Sequence, residues 1–546
     1  MNSLNLHSTT DRWASHCEAE PRTRTRSSTY LVDVSLKMRR GEWNLQSDDL
    51  LDDPEYGVKR GPLARVPYAN QFAPRTQWIA LGSLVVLLLL FLLIIITSVA
   101  RTHTNDNGTY KNVIFMISDG YGPASQVMAR VTNAVETTPN YDPSHPTIKT
   151  NPLPLDEYLV GTARTYSSDS WVTDSAAGAT AYSCALKTYN NAIGVDENKQ
   201  PCGNLFEAGR SKGMATGIVV TSSFSHATPA SFSSHSIHRD AEDFIASQQM
   251  KAGLDVMFGG GSRYWNERKD GRDLFEEAKK DPYSYTVTSN LSEWEQVNRV
   301  PVLSLFTRGQ MSYDIDRDAK VEPSLSEMVS KAIHLLSNKP NNRGFMLLIE
   351  GSRIDHAGHS NDAPSHYRDI MAYQEAVKTV MEFAKKDGNT IVVSVSDHET
   401  GGLTLGQVKY YEWKPELLLQ AKASSYIIAS KMREKNETRS IFKQYYNMDL
   451  TDAEEFKINS TFSMTLDDTI IQVGHVFSDR ARLGWTTLAH TGVDVNLYAY
   501  GPNTEKLRGN LENIEVGKFV ESTLGLNLEN ETKRLKSNDV DPVPRK

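Results

Sequence analysis

This chain contains few cysteines and has no excess of positive charge. Three cysteines in 546 residues exclude a framework built from disulfides. The 59 lysines and arginines are outnumbered by 67 aspartates and glutamates, which gives a formal charge of −8. This balance argues against a nucleic-acid-binding protein, because neutralising phosphates requires a basic surface. With 39% hydrophobic residues the chain is neither disordered nor fibrous, and it can bury a large core.

Long hydrophobic runs are equally scarce, and one stands out. Residues 79–100 carry no charged side chain, and a helix of that length would extend about 33 Å, enough to cross the hydrocarbon core of a bilayer. The run is too long for a typical core helix and too far from the N-terminus for a cleaved signal peptide. We therefore predict one uncleaved transmembrane signal-anchor over residues 77–100.

The flanking charges predict the orientation of this anchor. The basic residues near it are Lys59, Arg60, Arg65 and Arg75 on the N-terminal side, and Arg101 and Lys111 on the other. Because cytosolic flanks carry the excess of positive charge, residues 1–76 are predicted to be a cytosolic, mostly disordered tail. The remaining chain is then luminal, with a large domain over residues 101–532 and a flexible C-terminal tail over 533–546.

Two further features agree with a luminal domain. All N-x-S/T sequons follow the anchor, at Asn107, Asn290, Asn436, Asn459 and Asn530. Cys184 and Cys202 lie on the luminal side, where an oxidising compartment permits a disulfide between them. Two unpaired buried thiols are the alternative.

The luminal domain alternates short apolar runs with amphipathic stretches of helical length, the pattern of an α/β fold. Candidate strands are residues 113–118, 216–221, 345–349, 390–396 and 495–500, and candidate helices are 174–186, 324–337 and 366–385. The strands are apolar almost throughout, so we expect a largely parallel central sheet with helices on both faces. Segments 260–320 and 404–485 fit the alternation poorly and are interpreted as insertions over or beside the sheet.

Carboxylates follow three of the candidate strands. Asp119 follows the first, Glu350 the third, and Asp397, with His398 beside it, the fourth. Ligands bind at the carboxyl edge of an open α/β sheet, so these distant residues are expected to converge there. A single such aspartate would more simply form a turn, but three of them, one beside a histidine, favour a binding site.

Potential metal ligands accompany these carboxylates. Asp355 and His359 are four residues apart, so on one helical turn they share a face and could bind a divalent ion. His490 precedes another candidate strand. Mixed carboxylate and imidazole ligands suit zinc, whereas oxygen ligands alone suit magnesium. The ligands present are sufficient for more than one ion.

Ser175 begins a run of very small residues that continues to Thr180. A serine in this position could simply cap the helix. A helix N-terminus also favours an anion, whether an alkoxide or a phosphate. Because no Gly-x-Ser-x-Gly elbow surrounds Ser175, activation by a metal is the better route to a nucleophile.

These motifs together resemble the alkaline phosphatase family. The matching segments are Asp119-Gly120, Thr173-Asp174-Ser175-Ala176-Ala177, His226-Ala227-Thr228-Pro229, Glu350 through His359, Asp397-His398-Glu399-Thr400-Gly401-Gly402 and His490-Thr491-Gly492. The resemblance covers about residues 110–525, and the tail and anchor make the chain most similar to the fungal vacuolar-membrane members. It implies a homodimer at the vacuolar membrane that hydrolyses small phosphate monoesters, and phosphoproteins as a further class of substrate.

The resemblance also implies a role for each motif residue. One zinc would be held by Asp355, His359 and His490, a second zinc by Asp119, Asp397 and His398, and one magnesium by Asp119, Glu350 and Thr228. Ser175 would be the phosphorylated nucleophile, and Arg239 would hold two phosphate oxygens. Asp174, His226 and His356 would surround the phosphate; the two histidines follow animal members rather than bacterial ones, and a purely structural role for them stays open.

Other functions stay open at this stage. A phosphodiesterase or sulfatase-like enzyme of the same superfamily is the nearest alternative. Arg239 and the Asp174-Ser175 motif favour monoesters, because a forked arginine needs two free phosphate oxygens. A membrane-anchored, non-catalytic scaffold is the more distant one. A non-catalytic scaffold would be expected to have lost metal-ligand residues, whereas every expected metal ligand is present in the sequence.

Overall fold

The computed structural model describes residues 112–145, 151–407 and 411–535, and the backbone of two short strands nearer the N-terminus. The predicted anchor at 77–100, nearly all of the predicted cytosolic tail and Asn107 lie outside these residues. Among the helices that are described, none is both long enough and apolar enough to cross a membrane. The chain divides into two units, residues 1–103 and 104–546.

Among the described strands, one antiparallel pair belongs to the first unit and the others belong to the second. In chain order the strands are β1 (Lys37–Arg39), β2 (Glu42–Asn44), β3 (Asn112–Ile117), β4 (Leu159–Arg164), β5 (Ala215–Ser223), β6 (Val256–Gly260), β7 (Thr286–Thr288), β8 (Val302–Leu305), β9 (Phe345–Glu350), β10 (Thr390–Val395), β11 (Glu399–Thr400), β12 (Leu403–Leu405), β13 (Leu483–Trp485), β14 (His490–Thr491), β15 (Val495–Tyr500) and β16 (Gly509–Glu512).

Ten of these strands form one sheet in the order β16-β4-β15-β10-β3-β9-β5-β6-β8-β7. Every neighbouring pair from β10 to β7 is parallel. β15 is antiparallel to both β10 and β4. The prediction of a large, mostly parallel α/β sheet is therefore confirmed. The three central strands β10, β3 and β9 end at the same edge, which places the residues that follow them close together.

Helices cover both faces of the sheet. Alternate side chains of β3 point to opposite faces, so that Ile114 and Met116 enter one buried cluster while Val113 and Phe115 enter the other. The α-helices are Pro123–Thr137, Ser175–Ser183, Leu205–Ser211, Ala227–Ser231, Glu242–Lys251, Arg263–Asn266, Leu274–Ala278, Leu291–Gln296, Leu325–Ser337, Arg353–His359, Ala363–Asp387, Pro415–Leu418, Ser425–Lys435, Thr438–Tyr446, Asp452–Ser460, Leu466–Ala481, Asn513–Leu524 and Leu528–Arg534.

Local sequence explains where two of the longer helices begin and where one of them ends. Ser324 and Glu327 form a capping box at the start of Leu325–Ser337, and Glu327 returns a hydrogen bond to the cap backbone. Ala363–Asp387 has Pro364 in its first turn and ends at Gly388, whose φ of 74° is the left-handed conformation that closes helices.

The two predicted insertions differ in structure. The segment 260–320 contributes β7 and β8 to one edge of the sheet. The segment 404–485 is mainly helical, with five helices from Pro415 to Ala481. We call this segment the helical insertion. β12 and β13, at its two ends, pair antiparallel with Leu403 opposite Trp485.

The remaining sequence features are located as follows. Cys184 and Cys202 form a disulfide. The asparagines of the four described sequons, Asn290, Asn436, Asn459 and Asn530, are all exposed. The last helix, Leu528–Arg534, includes the first residues of the segment expected to be a flexible tail.

Candidate active site

Three buried carboxylates meet at the carboxyl edge of the sheet. Asp119 lies just after β3, Glu350 is the last residue of β9, and Asp397 lies just after β10. All three are 0% exposed. Because β10, β3 and β9 are parallel neighbours, the strand order itself brings these side chains together.

Most oxygens of these carboxylates accept no hydrogen bond, although Nε2 of His398 lies 3.4 Å from both Asp119 and Asp397. Both oxygens of Asp119 and of Asp397 are buried without a hydrogen bond, as are Oε1 of Glu350 and Oγ1 of Thr228. Burial raises the pKa of Asp119 well above its ordinary value, and the charge of Asp397 raises it further. Burial likewise raises the pKa of both Asp397 and Glu350 to about 7. Unpaired buried carboxylates are costly unless a cation compensates them, so this donor set fits metal ions.

Three histidines turn their Nε2 atoms toward carboxylates of the site: His398 toward Asp119 and Asp397, and His359 and His490 toward Asp355. In each histidine, Nδ1 lies within hydrogen-bond distance of an oxygen, so Nε2 is the nitrogen that can bind a metal. The acceptors are Leu488 O for His359 (2.6 Å), Thr173 O for His490 (2.8 Å) and Thr400 Oγ1 for His398 (3.2 Å). Metal-binding histidines are oriented by this type of outer hydrogen bond.

Asp355 lies between two of these imidazoles. Its oxygens are 3.3 Å from Nε2 of His359 and 3.5 Å from Nε2 of His490, and the two Nε2 atoms are 3.2 Å apart. Burial opposes a charge on His359, but Asp355 outweighs it and raises the pKa of His359 to about 9. The negative charge that attracts this proton would equally attract a metal ion.

The described residues contain three groups whose ligand atoms lie within 4.8 Å of one another. They are Asp355, His398 and His490; Asp119, Asp397 and His398; and Asp119, His226 and Glu350. Of the expected ligands, Asp119, Glu350, Asp355, Asp397, His398 and His490 belong to these groups. His359 belongs to none of them, although its Nε2 lies 3.3 Å from Asp355, and His226 belongs to one although it was not expected as a ligand. His398 belongs to two groups, which the sequence did not indicate. Thr228, expected in the third group, has its hydroxyl buried nearby without a partner, as described above.

Ser175 faces this cluster from the start of helix Ser175–Ser183. Its Oγ lies 3.1 Å from Nε2 of His398. Asp174 caps the helix by accepting from the backbone N–H of Ala177 at 3.0 Å. The run of small residues has a steric cause, because a Cβ at Gly178 would lie 2.9 Å from Cβ of Asp397. The helix therefore approaches the carboxylates as closely as its backbone permits.

Arg239 connects the serine segment to a histidine. Its Nη1 donates to Asp174 Oδ2 at 3.0 Å and its Nη2 to Nε2 of His226 at 3.1 Å. Because a guanidinium only donates, His226 must carry its proton on Nδ1. Burial, with the charge of Arg239, lowers the pKa of His226 to about 3. Because Arg239 also donates to Asp174, which caps helix Ser175–Ser183, the arginine is held in position at the start of that helix.

Several supporting residues were not predicted from the sequence. Thr400 donates its hydroxyl to Asp355 and is the partner of His398, so it contacts ligands from two groups. Ser222 donates to Glu350 Oε2 at 3.2 Å. Arg353 donates to Nδ1 of His356 at 3.0 Å. For Thr400 and Arg353 the sequence signal was their position beside predicted ligands. Thr400 follows His398 by two residues, and Arg353 precedes Asp355 by two.

These features define a class, namely an α/β protein with a cation-binding site at the carboxyl edge of its sheet and a serine at a helix start within it. The alkaline phosphatase family profile matches residues 110–526. The chain is 40% identical to an alkaline phosphatase of Schizosaccharomyces pombe over 495 residues, covering 86% of this chain and 91% of the relative. It is 40% identical to the repressible alkaline phosphatase of Saccharomyces cerevisiae over 472 residues, covering 77% and 82%.

Solved structures agree with this match. A cold-active alkaline phosphatase of Shewanella superposes with a TM-score of 0.68 at 31% identity, over 76% of this chain and 99% of that one. The chain belongs to the alkaline phosphatase family and is an enzyme of the phosphoric monoester hydrolase class.

Proposed function

We propose that this enzyme hydrolyses a broad range of phosphate monoesters through a phosphoserine formed at Ser175. The observation that carries this proposal is the position of the Ser175 hydroxyl, 3.1 Å from an imidazole nitrogen and at a helix N-terminus, beside buried carboxylates whose oxygens mostly accept no hydrogen bond. A helix N-terminus is a favourable place for a phosphate.

The donor chemistry supports two zinc ions and one magnesium ion. Asp355, His359 and His490 would hold one zinc, and Asp119, Asp397 and His398 the other, since both sets combine carboxylate with imidazole. Asp119, Glu350 and Thr228 offer oxygen alone and would hold magnesium. Bound zinc lowers the pKa of a coordinated hydroxyl and stabilises charge on the attacking and leaving oxygens.

The chain's own residues position the reaction. Ser175 Oγ attacks phosphorus, so that the Oγ–P bond forms as the bond from phosphorus to the leaving alcohol oxygen breaks. The fork of Arg239 binds two of the remaining phosphate oxygens as charge spreads over them. His226 and His356 are neutral, because burial lowers the pKa of each, and they serve as polar contacts around the phosphate. The departing alkoxide takes up the proton lost by Ser175 to give the alcohol. Water then cleaves the Oγ–P bond, which releases inorganic phosphate and restores the serine hydroxyl.

The test compares ester classes and metal states in the full-length protein. We expect rapid hydrolysis of p-nitrophenyl phosphate, far slower hydrolysis of bis-p-nitrophenyl phosphate, and loss of both after dialysis against EDTA. Zinc with magnesium should restore activity better than either ion alone. Faster turnover of the diester would establish a phosphodiesterase instead, and a fully metal-loaded protein that hydrolyses neither ester would support the scaffold function.

We further propose that the enzyme is an N-glycosylated homodimer, anchored by residues 77–100 with its catalytic domain on the luminal side of the vacuolar membrane. The uncharged run at 79–100 supports the anchor, and the exposed asparagines of the described sequons support the glycosylation. The homodimer and the vacuolar membrane rest on the similarity to the fungal members of the family. Modification of Asn290 or Asn436 would place the domain on that side.

Thr400 provides a prediction about metal affinity. Thr400→Val keeps the shape of the side chain but removes the hydroxyl that contacts both Asp355 and His398. Loss of such outer hydrogen bonds costs about 10- to 100-fold in metal affinity. We expect a weaker zinc affinity by that factor in chelator competition, and near-normal affinity for Thr400→Ser. Equal affinity in both variants would show that this hydroxyl does not orient the ligands.

A further inference from the structure

A cavity of about 700 Å³ opens beside the candidate site. Its size lies within the range of about 300–1,000 Å³ that is typical of small-molecule sites. His356 and His359 are among the described residues that line it, and Ser175 is not. The cavity therefore adjoins the site on the side of His359 rather than on the side of the serine.

The apolar part of the lining comes mostly from the helical insertion. Tyr426 and Ile427 belong to helix Ser425–Lys435, and Ile470 and Ile471 to helix Leu466–Ala481. Tyr426 is 48% exposed although its ring is largely apolar. An exposed aromatic side chain beside a polar site is typical of a surface that contacts a ligand.

Most of the polar lining comes from the body of the domain, and the insertion adds one carboxylate, Asp467. Arg353 lies with its guanidinium 3.8 Å from the centre of the Tyr313 ring, and both residues line the cavity. This stacking holds the guanidinium in one orientation, so that it presents a flat surface. One side of the cavity is thus polar and planar, and the other is mainly apolar.

The helical insertion is held firmly against the site. The backbone N–H groups of Ser424 and Ser425, at the start of one lining helix, donate to Asp316 at 2.9 Å and to Asp362 at 2.7 Å. On the other lining helix, a Cβ at Gly474 would lie 2.8 Å from the carbonyl oxygen of Ser360, next to His359. The apolar side chains therefore form a fixed wall.

We propose that this cavity receives the leaving group of the substrate and favours phosphate monoesters whose alcohol carries a flat, apolar ring over those with a small polar alcohol. The inference rests on the proposed function. In-line attack by Ser175 places the leaving oxygen on the far side of phosphorus, and the cavity opens on the side of His359. A ring there would contact the apolar side chains of the insertion and the stacked Arg353.

The test uses the double variant Tyr426→Ala/Ile471→Ala in the full-length enzyme. The matched control is Phe456→Ala, since Phe456 is 74% exposed in the same insertion but does not belong to the described lining. kcat/KM is measured for 1-naphthyl phosphate and for phosphoethanolamine, together with the inhibition constant of inorganic phosphate. Loss of apolar contacts of this size changes discrimination by about tenfold or more.

We expect the ratio of kcat/KM for 1-naphthyl phosphate to kcat/KM for phosphoethanolamine to fall about tenfold in the double variant. The ratio should stay unchanged in the control. Inhibition by phosphate, which has no leaving group, should stay at the wild-type value. An unchanged ratio, or an equal loss for both esters, would overturn the assignment of this cavity while the wild-type activity still supports the proposed function. A wild-type enzyme that hydrolyses neither ester would overturn both.

Discussion

Ser175→Ala should abolish turnover of p-nitrophenyl phosphate almost completely. The variant loses the one hydroxyl that lies within 3.1 Å of His398 Nε2 at the helix start. Removing a nucleophile from a comparable constellation lowers kcat by about 10⁴- to 10⁶-fold. Acid-quenched enzyme incubated with labelled phosphate should carry a phosphoseryl residue in the wild type and none in the variant.

Ser183→Ala is the matched control for this experiment. Ser183 lies in the same helix and is equally buried, but its hydroxyl is 3.5 Å from the Thr180 carbonyl rather than close to the ligands. Its activity and labelling should match the wild type. Labelling that persists in Ser175→Ala would contradict the assignment of the nucleophile.

Asp119→Asn should remove two ions at once. Asp119 belongs both to the group with Asp397 and His398 and to the group with His226 and Glu350. Replacing the carboxylate with an amide of the same shape weakens both sites. We expect a loss of about one zinc and one magnesium per chain by elemental analysis, and a loss of kcat/KM of at least about 10²- to 10³-fold.

Asp255→Asn provides the comparison for a buried aspartate elsewhere. Asp255 accepts from the backbone of Thr216 and pairs with Lys339 at 2.7 Å, at the amino end of β6 and away from the site. Its variant should keep both ions. If Asp119→Asn kept its full metal content, the shared-ligand arrangement would be wrong.

Asp119 and the two neighbouring carboxylates also predict that the stability of the metal-free protein depends on pH. Asp119, Asp397 and Glu350 all have a raised pKa in the folded chain, so folding binds protons that the unfolded chain has released. Their contribution to stability is therefore complete below about pH 4 and is lost as pH rises through about 7. The thermal midpoint of EDTA-treated wild type should fall over this range, and by less in Asp119→Asn. An equal fall in both would show that Asp119 does not take up this proton.

Much of the site could be predicted because it follows from strand order. Asp119, Glu350 and Asp397 each follow an apolar run, and parallel strands necessarily end at one edge. The direction of β15 could not be predicted, because an apolar run has the same pattern in either direction. Its sequence position was nonetheless identified without error, at residues 495–500.

Some of the missed parts depend on pairings between short segments that lie far apart along the chain. β11 is only two residues long, yet it places Thr400 opposite His490. No local periodicity exists over two residues, and the partner lies far along the chain. β7 and β8 were missed for a related reason, since strands of three and four residues are too short to show a clear alternation.

The short pairing of β12 with β13 has a consequence for how enzymes of this type can change. Because the two ends of the helical insertion leave and rejoin the domain as adjacent strands, its length and internal sequence can vary with little effect on the chain entropy of the core. The insertion is therefore a separable segment of the domain. It contributes mainly apolar side chains to the cavity, and none of the proposed metal ligands lies in it. Substrate range could therefore diverge between relatives through this one segment while the chemistry stays the same.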